Sequence, residues 1–255
     1  WLVVQPDGAF TTQRSHGPLA AIQAMPTARG IRLSANSMPD LEVAIPDGGE
    51  RLSVTVWDHR VDAALADGAA HKWLSEFMGE DLCLVHMDAK AERLKQGIWT
   101  EASLPISFAD GYPVLIATTA SLEAVNAEIE RKGEQPITMR RFRPNIVIDG
   151  TEPWADDFWR RIRVGNAEFE LVKPCDRCVV TTKDQLTGIT MGDEPLGALR
   201  TLRMSADPRV KGVLFGWNSV PTKLAEIRVG DRVEILEARP EGFAIHAGKK
   251  PAAIP

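Results

Sequence analysis

Residues 173–182 read Lys-Pro-Cys-Asp-Arg-Cys-Val-Val-Thr-Thr and bring two thiols within three positions of each other. Arg177 lies between Cys175 and Cys178, and a lysine precedes them. The thiolate is the form of cysteine that binds metals and attacks electrophiles, and neighbouring cations favour it. A hydrophobic run leads into this stretch and the β-branched run 179–182 leads out, a pattern that predicts a turn joining two strands. We therefore expect at least one of the two sulfurs to act as a ligand or a nucleophile.

The composition is that of an ordinary soluble globular protein. Of 255 residues, 44% are hydrophobic and 25% are charged. A net charge of −5 argues against a nucleic-acid-binding protein, which is usually basic. No apolar run approaches the roughly 18 residues of a membrane span, and no signal peptide is visible in a chain that begins at Trp1. Three cysteines are too few for a disulfide framework and odd in number, which suits a reducing compartment, so a cytoplasmic location is expected.

Short β segments separated by turn residues dominate the first third of the chain. Their spacing of roughly ten residues is typical of a barrel or a sandwich. A helix over residues 71–78 follows and should end at Gly79. The polar residues 88–111 make the best domain boundary. The predicted early segments are residues 1–13, 20–26, 30–35, 41–45 and 52–56.

The second half also reads as mainly β with some α structure. A helix over residues 119–132 should begin with Thr119 or Ser121 as its N-cap. The backbone N–H groups at such a helix start form an anion site. The remaining predicted elements are strands at residues 113–118, 146–149, 161–164, 167–172, 215–220 and 232–237, and a short helix at residues 195–204.

The cysteine pair fits neither a zinc site nor a dithiol redox site well. A structural zinc site needs four ligands, and no histidine of this chain has ligand spacing to another. A thioredoxin-like pair would stand at a helix start, whereas β-branched residues follow Cys178. The third cysteine, Cys83, has hydrophobic residues on both sides and is expected in the core.

Arg140, Arg141 and Arg143 form a second cluster with chemical interest. On spacing alone such a cluster is a solvated charged face, and its functional alternative is a site for phosphate or another anion. Because Arg143 precedes Pro144, we expect an extended backbone there. No glycine-rich phosphate loop and no Gly-x-Ser-x-Gly elbow is present. From these residues alone the chain is a β-rich protein with a thiol site and an arginine-rich anion site, without an assigned reaction.

The two motifs together resemble a known family. Residues 141–147 read Arg-Phe-Arg-Pro-Asn-Ile-Val. With residues 173–182 they resemble the MOSC proteins, named for the C-terminal domain of the molybdenum cofactor sulfurase. The closer likeness is to the mitochondrial amidoxime-reducing component and to bacterial relatives that reduce N-hydroxylated bases such as hydroxylaminopurine. The likeness continues from Trp1 to about Glu237.

The resemblance implies a two-domain fold and a metal cofactor. An N-terminal β-barrel-like domain would cover residues 1–90, a MOSC β-barrel domain residues 91–240, and a C-terminal tail residues 241–255. The family binds a pterin-based molybdenum cofactor, Mo-molybdopterin, whose metal is held by one protein cysteine. The matching position is Cys178, which becomes the expected metal ligand and catalytic residue. Cys175 becomes its neighbour, whose loss should be tolerated better.

The resemblance also implies the residues that contact the cofactor. Arg143 and Asn145 match the Arg-Pro-Asn motif of the family, in which a guanidinium suits an anion and an amide suits a heterocycle edge. Thr119 and Ser121 at a helix start suit the same anion. The expected cofactor-binding residues are Cys178, Arg143, Asn145, Thr119, Ser121, Arg177 and Arg14. Pyridoxal phosphate is not expected.

The implied activity is reduction of N-hydroxylated compounds, namely amidoximes, hydroxylamines and N-hydroxylated bases, with a role in their detoxification. Two further cofactor-holding segments of the family, Pro-Val-Lys-Ser and Asp-Arg, would stand before Trp1. No cysteine follows Glu237, so the chain has no counterpart of the ferredoxin-like domain of some bacterial relatives. Electrons are then expected from a separate ferredoxin-, flavodoxin- or cytochrome b5-like protein. Two alternatives are a cofactor carrier or sulfur-transfer module without reductase activity, and a barrel whose thiol site is vestigial.

Overall fold

The computed structural model describes residues 1–246, which form two compact units. The N-terminal unit comprises Trp1–Gly97, Glu101–Asp110 and Lys183–Thr190, and the C-terminal unit comprises Ile98–Thr100, Gly111–Thr182 and the chain from Met191 onward. Residues 247–255, which make up most of the expected C-terminal tail, lie outside the described residues.

The N-terminal unit is built from small antiparallel sheets and one helix. One sheet has the strand order β1-β7-β6-β5, the second β2-β3-β4, and the third is the hairpin β8-β9. The elements are β1 (Leu2–Val4), β2 (Gln23–Thr27), β3 (Gly30–Ser34), β4 (Leu41–Ala44), β5 (Arg51–Val56), β6 (His59–Leu65), α1 (Gly68–Met78), β7 (Cys83–His86), β8 (Leu94–Gly97) and β9 (Thr100–Pro105).

Helix α1 begins and ends at residues with recognisable capping chemistry. The Asp67 carboxylate accepts a hydrogen bond from the Ala70 N–H at 2.9 Å, so the helix starts three residues earlier than predicted. It ends at Gly79, which has the left-handed φ of 74° that glycine adopts without strain. Trp73 and Leu74 are buried against β3 and β4, so packing of this helix closes the core of the second sheet.

The polar residues 88–111 contain a hairpin instead of an irregular linker. Strands β8 and β9 pair there, and Arg93 is only 5% exposed. Its guanidinium donates to the carbonyl oxygens of Ser107 and Ala109, at 3.1 and 2.6 Å. A buried charge requires such partners. The two compact units divide near Asp110, inside the predicted boundary region 88–111, and the division at residue 90 that the resemblance implies stays a prediction.

The C-terminal unit contains one six-stranded sheet with two helices packed on one face. The strand order is β11-β10-β14-β13-β12-β15, and only β10 and β11 pair in parallel among the described strands of this sheet. Helix α2 supplies the crossover that a parallel pair needs. The elements are β10 (Val114–Thr118), α2 (Thr119–Arg131), β11 (Ile146–Ile148), β12 (Trp159–Val164), β13 (Ala167–Asp176), α3 (Leu196–Leu202), β14 (Leu214–Lys223) and β15 (Val233–Ala238).

Gly216 decides which way the side chains of β14 point. Strand residues two apart normally share one face of a sheet, yet Phe215 packs with α2 and α3 while Trp217 packs in the core on the other face. Gly216 lies between them with a left-handed φ of 71°, and a bulge residue of this kind breaks the alternation. The β13–β14 register shifts at the same place, where two steps along β13 oppose three along β14.

The expected fold class is confirmed. Strands hold 37% of the residues and helices 19%, so the chain is mainly β with some α structure. The predicted strands 30–35 and 167–172 correspond to β3 and β13. Within residues 1–246, no helix is both long enough and apolar enough to cross a membrane.

Substituting Gly216 by Ala should destabilise the C-terminal unit. An added Cβ would meet the Ile116 carbonyl oxygen at 2.6 Å, and the left-handed φ adds strain. We expect a loss of roughly 2–4 kcal/mol in the free energy of unfolding, measured by urea denaturation. Gly212→Ala is the matched control, since Gly212 also has a positive φ (98°) but has open space around its Cβ position. That control should lose only about 1 kcal/mol, and equal losses in both variants would contradict the role of the close approach.

Candidate functional site

The cysteine motif lies at the C-terminal end of β13, beside the N-terminal end of β14. Cys175 belongs to the strand, and Cys178 lies two residues beyond it; both thiols are half-buried. The predicted second strand is wrong, because Val179–Thr182 form a 3-10 turn. The Thr181 N–H and hydroxyl both donate to the Cys178 carbonyl, at 3.1 and 2.9 Å. Threonine hydroxyls that bond back to the preceding turn compete with strand formation, which overrides the β propensity of this run.

Arg177 ties the cysteine motif to the arginine-rich segment. One terminal nitrogen, Nη2, donates to the Phe142 carbonyl at 2.6 Å, and the other, Nη1, donates to the Cys175 sulfur at 2.9 Å. A second tie runs in the opposite direction, from Arg141 Nη1 to the Thr181 carbonyl at 3.3 Å. The structure therefore brings the two sequence motifs into direct contact.

Arg143 has an unusual backbone conformation. Its φ is +55°, so the extended backbone expected before Pro144 is wrong. The cause lies in the preceding 3-10 turn Met139–Arg141, since the Arg143 N–H still donates to the Arg140 carbonyl at 3.2 Å. The Arg143 side chain is exposed, one residue after the fully buried Phe142. Its guanidinium is therefore presented to solvent from a rigid anchor.

Asn145 begins the parallel pairing of β10 and β11. Its Oδ1 accepts from the Leu115 N–H at 2.8 Å, while its own N–H donates to the Leu115 carbonyl at 2.9 Å. The amide oxygen thus acts as a strand partner, and within residues 1–246 no acceptor is seen for Nδ2. A ligand could use this remaining donor.

The start of α2 differs from both predicted caps. The N-cap is Thr118, whose hydroxyl accepts from the Ser121 N–H at 3.2 Å and donates to the Ser121 hydroxyl at 2.7 Å. Ser121 is 1% exposed and also accepts from the Trp154 N–H at 2.9 Å. Thr119 is half-buried and donates to the Asp149 carboxylate at 2.5 Å. This hydrogen bond lowers the pKa of Asp149.

Strand register separates these residues along the sheet. Asn145 is level with Leu115, and Thr119 follows four residues later, roughly 13 Å along the strand. On the other side, Ile116 pairs with Trp217 and Asp176 pairs with Leu214. The cysteine motif is therefore level with the β10–α2 junction, from which β14 separates it, and not with Asn145.

Arg14 belongs to the N-terminal unit. Its guanidinium lies 5.0 Å from the Trp57 ring centre and 3.8 Å from the Asp110 carboxylate. The Lys183 ammonium donates to the Arg14 carbonyl at 3.4 Å. These contacts place Arg14 near a segment, Lys183–Thr190, that follows the cysteine motif in sequence but belongs to the N-terminal unit.

The donor set around the cysteine motif fits a ligand with both a soft metal and an anionic group. Cys178 offers one sulfur, the ligand type that soft metals prefer. Arg143 offers an exposed guanidinium for phosphate. Within residues 1–246, no group of three or more His, Cys, Asp or Glu side chains is arranged to hold a metal ion.

Sequence reasoning missed a buried ion pair behind the site. Asp156, Asp157 and Arg203 are each less than 8% exposed. Both terminal nitrogens of Arg203 lie 2.8 Å from the Asp157 carboxylate, which also accepts from the Trp217 indole at 3.1 Å. The Arg203 guanidinium stacks on the Trp154 ring at 4.6 Å. The available signal was a pair of acids inside the aromatic run 154–159, and it is a weak signal because Asp is mostly exposed unless it is paired.

Two family models match the chain: the MOSC N-terminal beta barrel domain over residues 1–81 and the MOSC domain over residues 103–234. Three similar proteins carry amidoxime-reducing names. Mitochondrial amidoxime-reducing component 1 is 30% identical both in Xenopus laevis (91% of this chain, 70% of the relative) and in Homo sapiens (92% and 72%). Mitochondrial amidoxime reducing component 2 of Rattus norvegicus is 28% identical over 91% of this chain and 71% of the relative.

The buried acid pair should make stability depend on pH. Burial, and then the neighbouring Asp157, raise the pKa of Asp156 to about 7. An unfolded Asp releases its proton near pH 4, so between about pH 4 and 7 the folded chain keeps a proton that the unfolded chain loses, and stability falls as pH rises. Asp156→Asn has no titrating carboxyl at this position, so its stability should lack this pH dependence.

Urea denaturation of both proteins from pH 4 to pH 8 measures the effect. As pH rises, the wild type should lose up to about 4 kcal/mol of unfolding free energy relative to Asp156→Asn. A difference that stays constant over this range would contradict a neutral Asp156 in the folded chain.

Proposed function

The chain belongs to the MOSC-domain family, and on that premise we propose that it is a molybdenum-cofactor-dependent reductase of N-hydroxylated compounds. Its substrates would be amidoximes, hydroxylamines and N-hydroxylated bases. The relatives named amidoxime-reducing components support reductive chemistry at nitrogen. Electrons would come from a separate ferredoxin-, flavodoxin- or cytochrome b5-like protein. The cytoplasmic location stays a prediction, and the relatives carry mitochondrial names.

One observation carries this proposal: the hydrogen bond from Arg177 to the Phe142 carbonyl, 2.6 Å long. Cys178 follows Arg177 directly, and Arg143 follows Phe142 directly. The contact between Arg177 and Phe142 therefore joins the two chain segments that carry the Cys178 thiol and the exposed Arg143 guanidinium. Such a pair suits a cofactor that carries a soft metal at one end and a phosphate at the other.

We assign the roles residue by residue. Cys178 would hold the metal through its thiolate, and Arg143 would hold the phosphate through its guanidinium. Asn145 would donate from Nδ2 to the pterin edge, because its oxygen is used by Leu115. When bound, the cofactor would supply the two-electron reduction of an N–O bond, which with two protons and two electrons from the partner protein gives water and the dehydroxylated product, an amidine from an amidoxime or an amine from a hydroxylamine.

The remaining candidate residues, Thr119, Ser121 and Arg14, differ in how well their contacts suit a cofactor-binding role. Thr119 directly follows the C-terminal end of β10, level with the cysteine motif, and the N–H groups at the start of α2 could face an anion there. We do not extend the role to Ser121, because its buried hydroxyl is used by Thr118 and Trp154. Arg14 stays a predicted cofactor contact.

Replacing Cys178 by Ser should abolish metal retention and activity. A hydroxyl is a hard ligand that does not replace a soft thiolate on such a centre. Protein from a cofactor-competent host should carry about one molybdenum per chain in the wild type, as the single-cysteine role implies. Reduction of a model amidoxime with an artificial electron donor should fall below detection in Cys178→Ser. Metal analysis, pterin analysis and turnover are the measurements.

Cys175→Ser is the matched control on the same turn. It should keep most of the molybdenum and turnover, because Cys175 is assigned no bond to the metal. Full turnover of Cys178→Ser would refute the proposal. Wild-type protein that binds molybdenum and pterin yet reduces nothing would instead favour a cofactor carrier or sulfur-transfer module, and wild type without metal or pterin would favour a vestigial site.

A further inference from the structure

The backbone of Arg177 is fixed to the sheet. Its N–H donates to the Val213 carbonyl at 2.8 Å, which extends the β13–β14 pairing by one residue beyond the Asp176–Leu214 pair. The side chain therefore starts from a rigid strand end and not from a mobile loop. The groups that this side chain contacts are therefore tied to the sheet.

The guanidinium of Arg177 is used within the protein. Nη2 donates to the Phe142 carbonyl and Nη1 to the Cys175 sulfur, while Cζ lies 5.4 Å from the Phe142 ring centre. Nε is buried and has no hydrogen-bond partner among the described residues. These contacts use two of the five N–H donors of the guanidinium, and both hold it within the protein. A role of Arg177 within the protein is an alternative to the cofactor contact that the resemblance implies, which stays a prediction.

The hydrogen bond from Nη2 falls on the peptide that joins Phe142 to Arg143. Its carbonyl accepts from Arg177 and its N–H donates to Arg140, so both sides of this peptide plane are held. Arg143 has φ +55°, a conformation that a non-glycine residue keeps only when its surroundings impose it. Arg177 supplies one of the two hydrogen bonds that hold this peptide.

We propose that Arg177 is a positioning residue that fixes the backbone of Arg143 beside Cys178, and this inference rests on the proposed function. Arg143 would then contact the cofactor, and Arg177 would act only through it. Lysine at position 177 could form one of the two hydrogen bonds but not both, because it lacks the planar fork of arginine.

A double-mutant cycle on cofactor retention tests this role. The variants are Arg177→Met, Arg143→Met and the double variant, and the readout is the rate of molybdenum loss during dialysis. Each single change should speed the loss on the order of tenfold, the effect of one charge-assisted hydrogen bond. The double variant should be no faster than Arg143→Met alone. Multiplied effects would show that Arg177 binds the cofactor itself or acts by general destabilisation, and would overturn the inference.

Arg177→Lys and Arg161→Lys complete this series. The first should show an intermediate rate of loss. The second changes an exposed arginine on β12 and should match the wild type. A rate for Arg177→Lys equal to the wild-type rate would contradict the need for both hydrogen bonds of Arg177.

Unfolding of the cofactor-free chain gives an independent reading. Glycine adopts a left-handed φ without strain, so Arg143→Gly should remove the need for the restraint. The shift in urea midpoint caused by Arg177→Met should then shrink by at least half in the Arg143→Gly background. An undiminished shift would overturn the inference. If the wild type holds no molybdenum, the proposed function fails, and this cycle alone decides the role of Arg177.

Discussion

The stack of Phe142 on Phe215 is the contact on which the candidate site depends. The two rings lie 3.6 Å apart between centroids, nearly parallel, and both are essentially buried. Phe215 can face Phe142 only because Gly216 breaks the alternation of β14. Burial of Phe142 holds its carbonyl in front of Arg177 and leaves Arg143, the next residue, exposed. Without this stack the arginine-rich segment would be the solvated charged face that its spacing suggests.

The same aromatic surface supports the buried ion pair. Trp154 meets Phe215 edge to face at 6.2 Å, and the Arg203 guanidinium stacks on Trp154. Arg203 then pairs with Asp157 under conditions in which an unpaired charge would be costly. The Trp154 N–H donates to Ser121, which belongs to the capping network of α2. A continuous set of contacts thus links the cysteine motif, the start of α2 and the acid pair.

Much of the fold could be predicted from the sequence, because its hydrophobic periods and turn residues are local signals. Most of the predicted strands are present, and the mainly β class and the family resemblance are confirmed. The errors fall where a side chain bonds back to the backbone or where packing overrides propensity. Thr181 turns a β-branched run into a 3-10 turn, Thr118 and not Thr119 caps α2, and a preceding turn forces Arg143 out of the extended region.

The sequence by itself determined which residues are candidates for the chemistry: two cysteines around an arginine, and an Arg-Pro-Asn segment some thirty residues before them. These residue types suit a soft metal and an anion. Only the tertiary structure decided which of these polar groups bond within the protein and which stay exposed. In the folded chain, Arg177 donates hydrogen bonds to Cys175 and Phe142, whereas Arg143 is exposed. The Asn145 oxygen is used for strand pairing. The physical reason is that burial and hydrogen-bond partners, which set what a polar group can offer, depend on contacts between residues far apart in the chain.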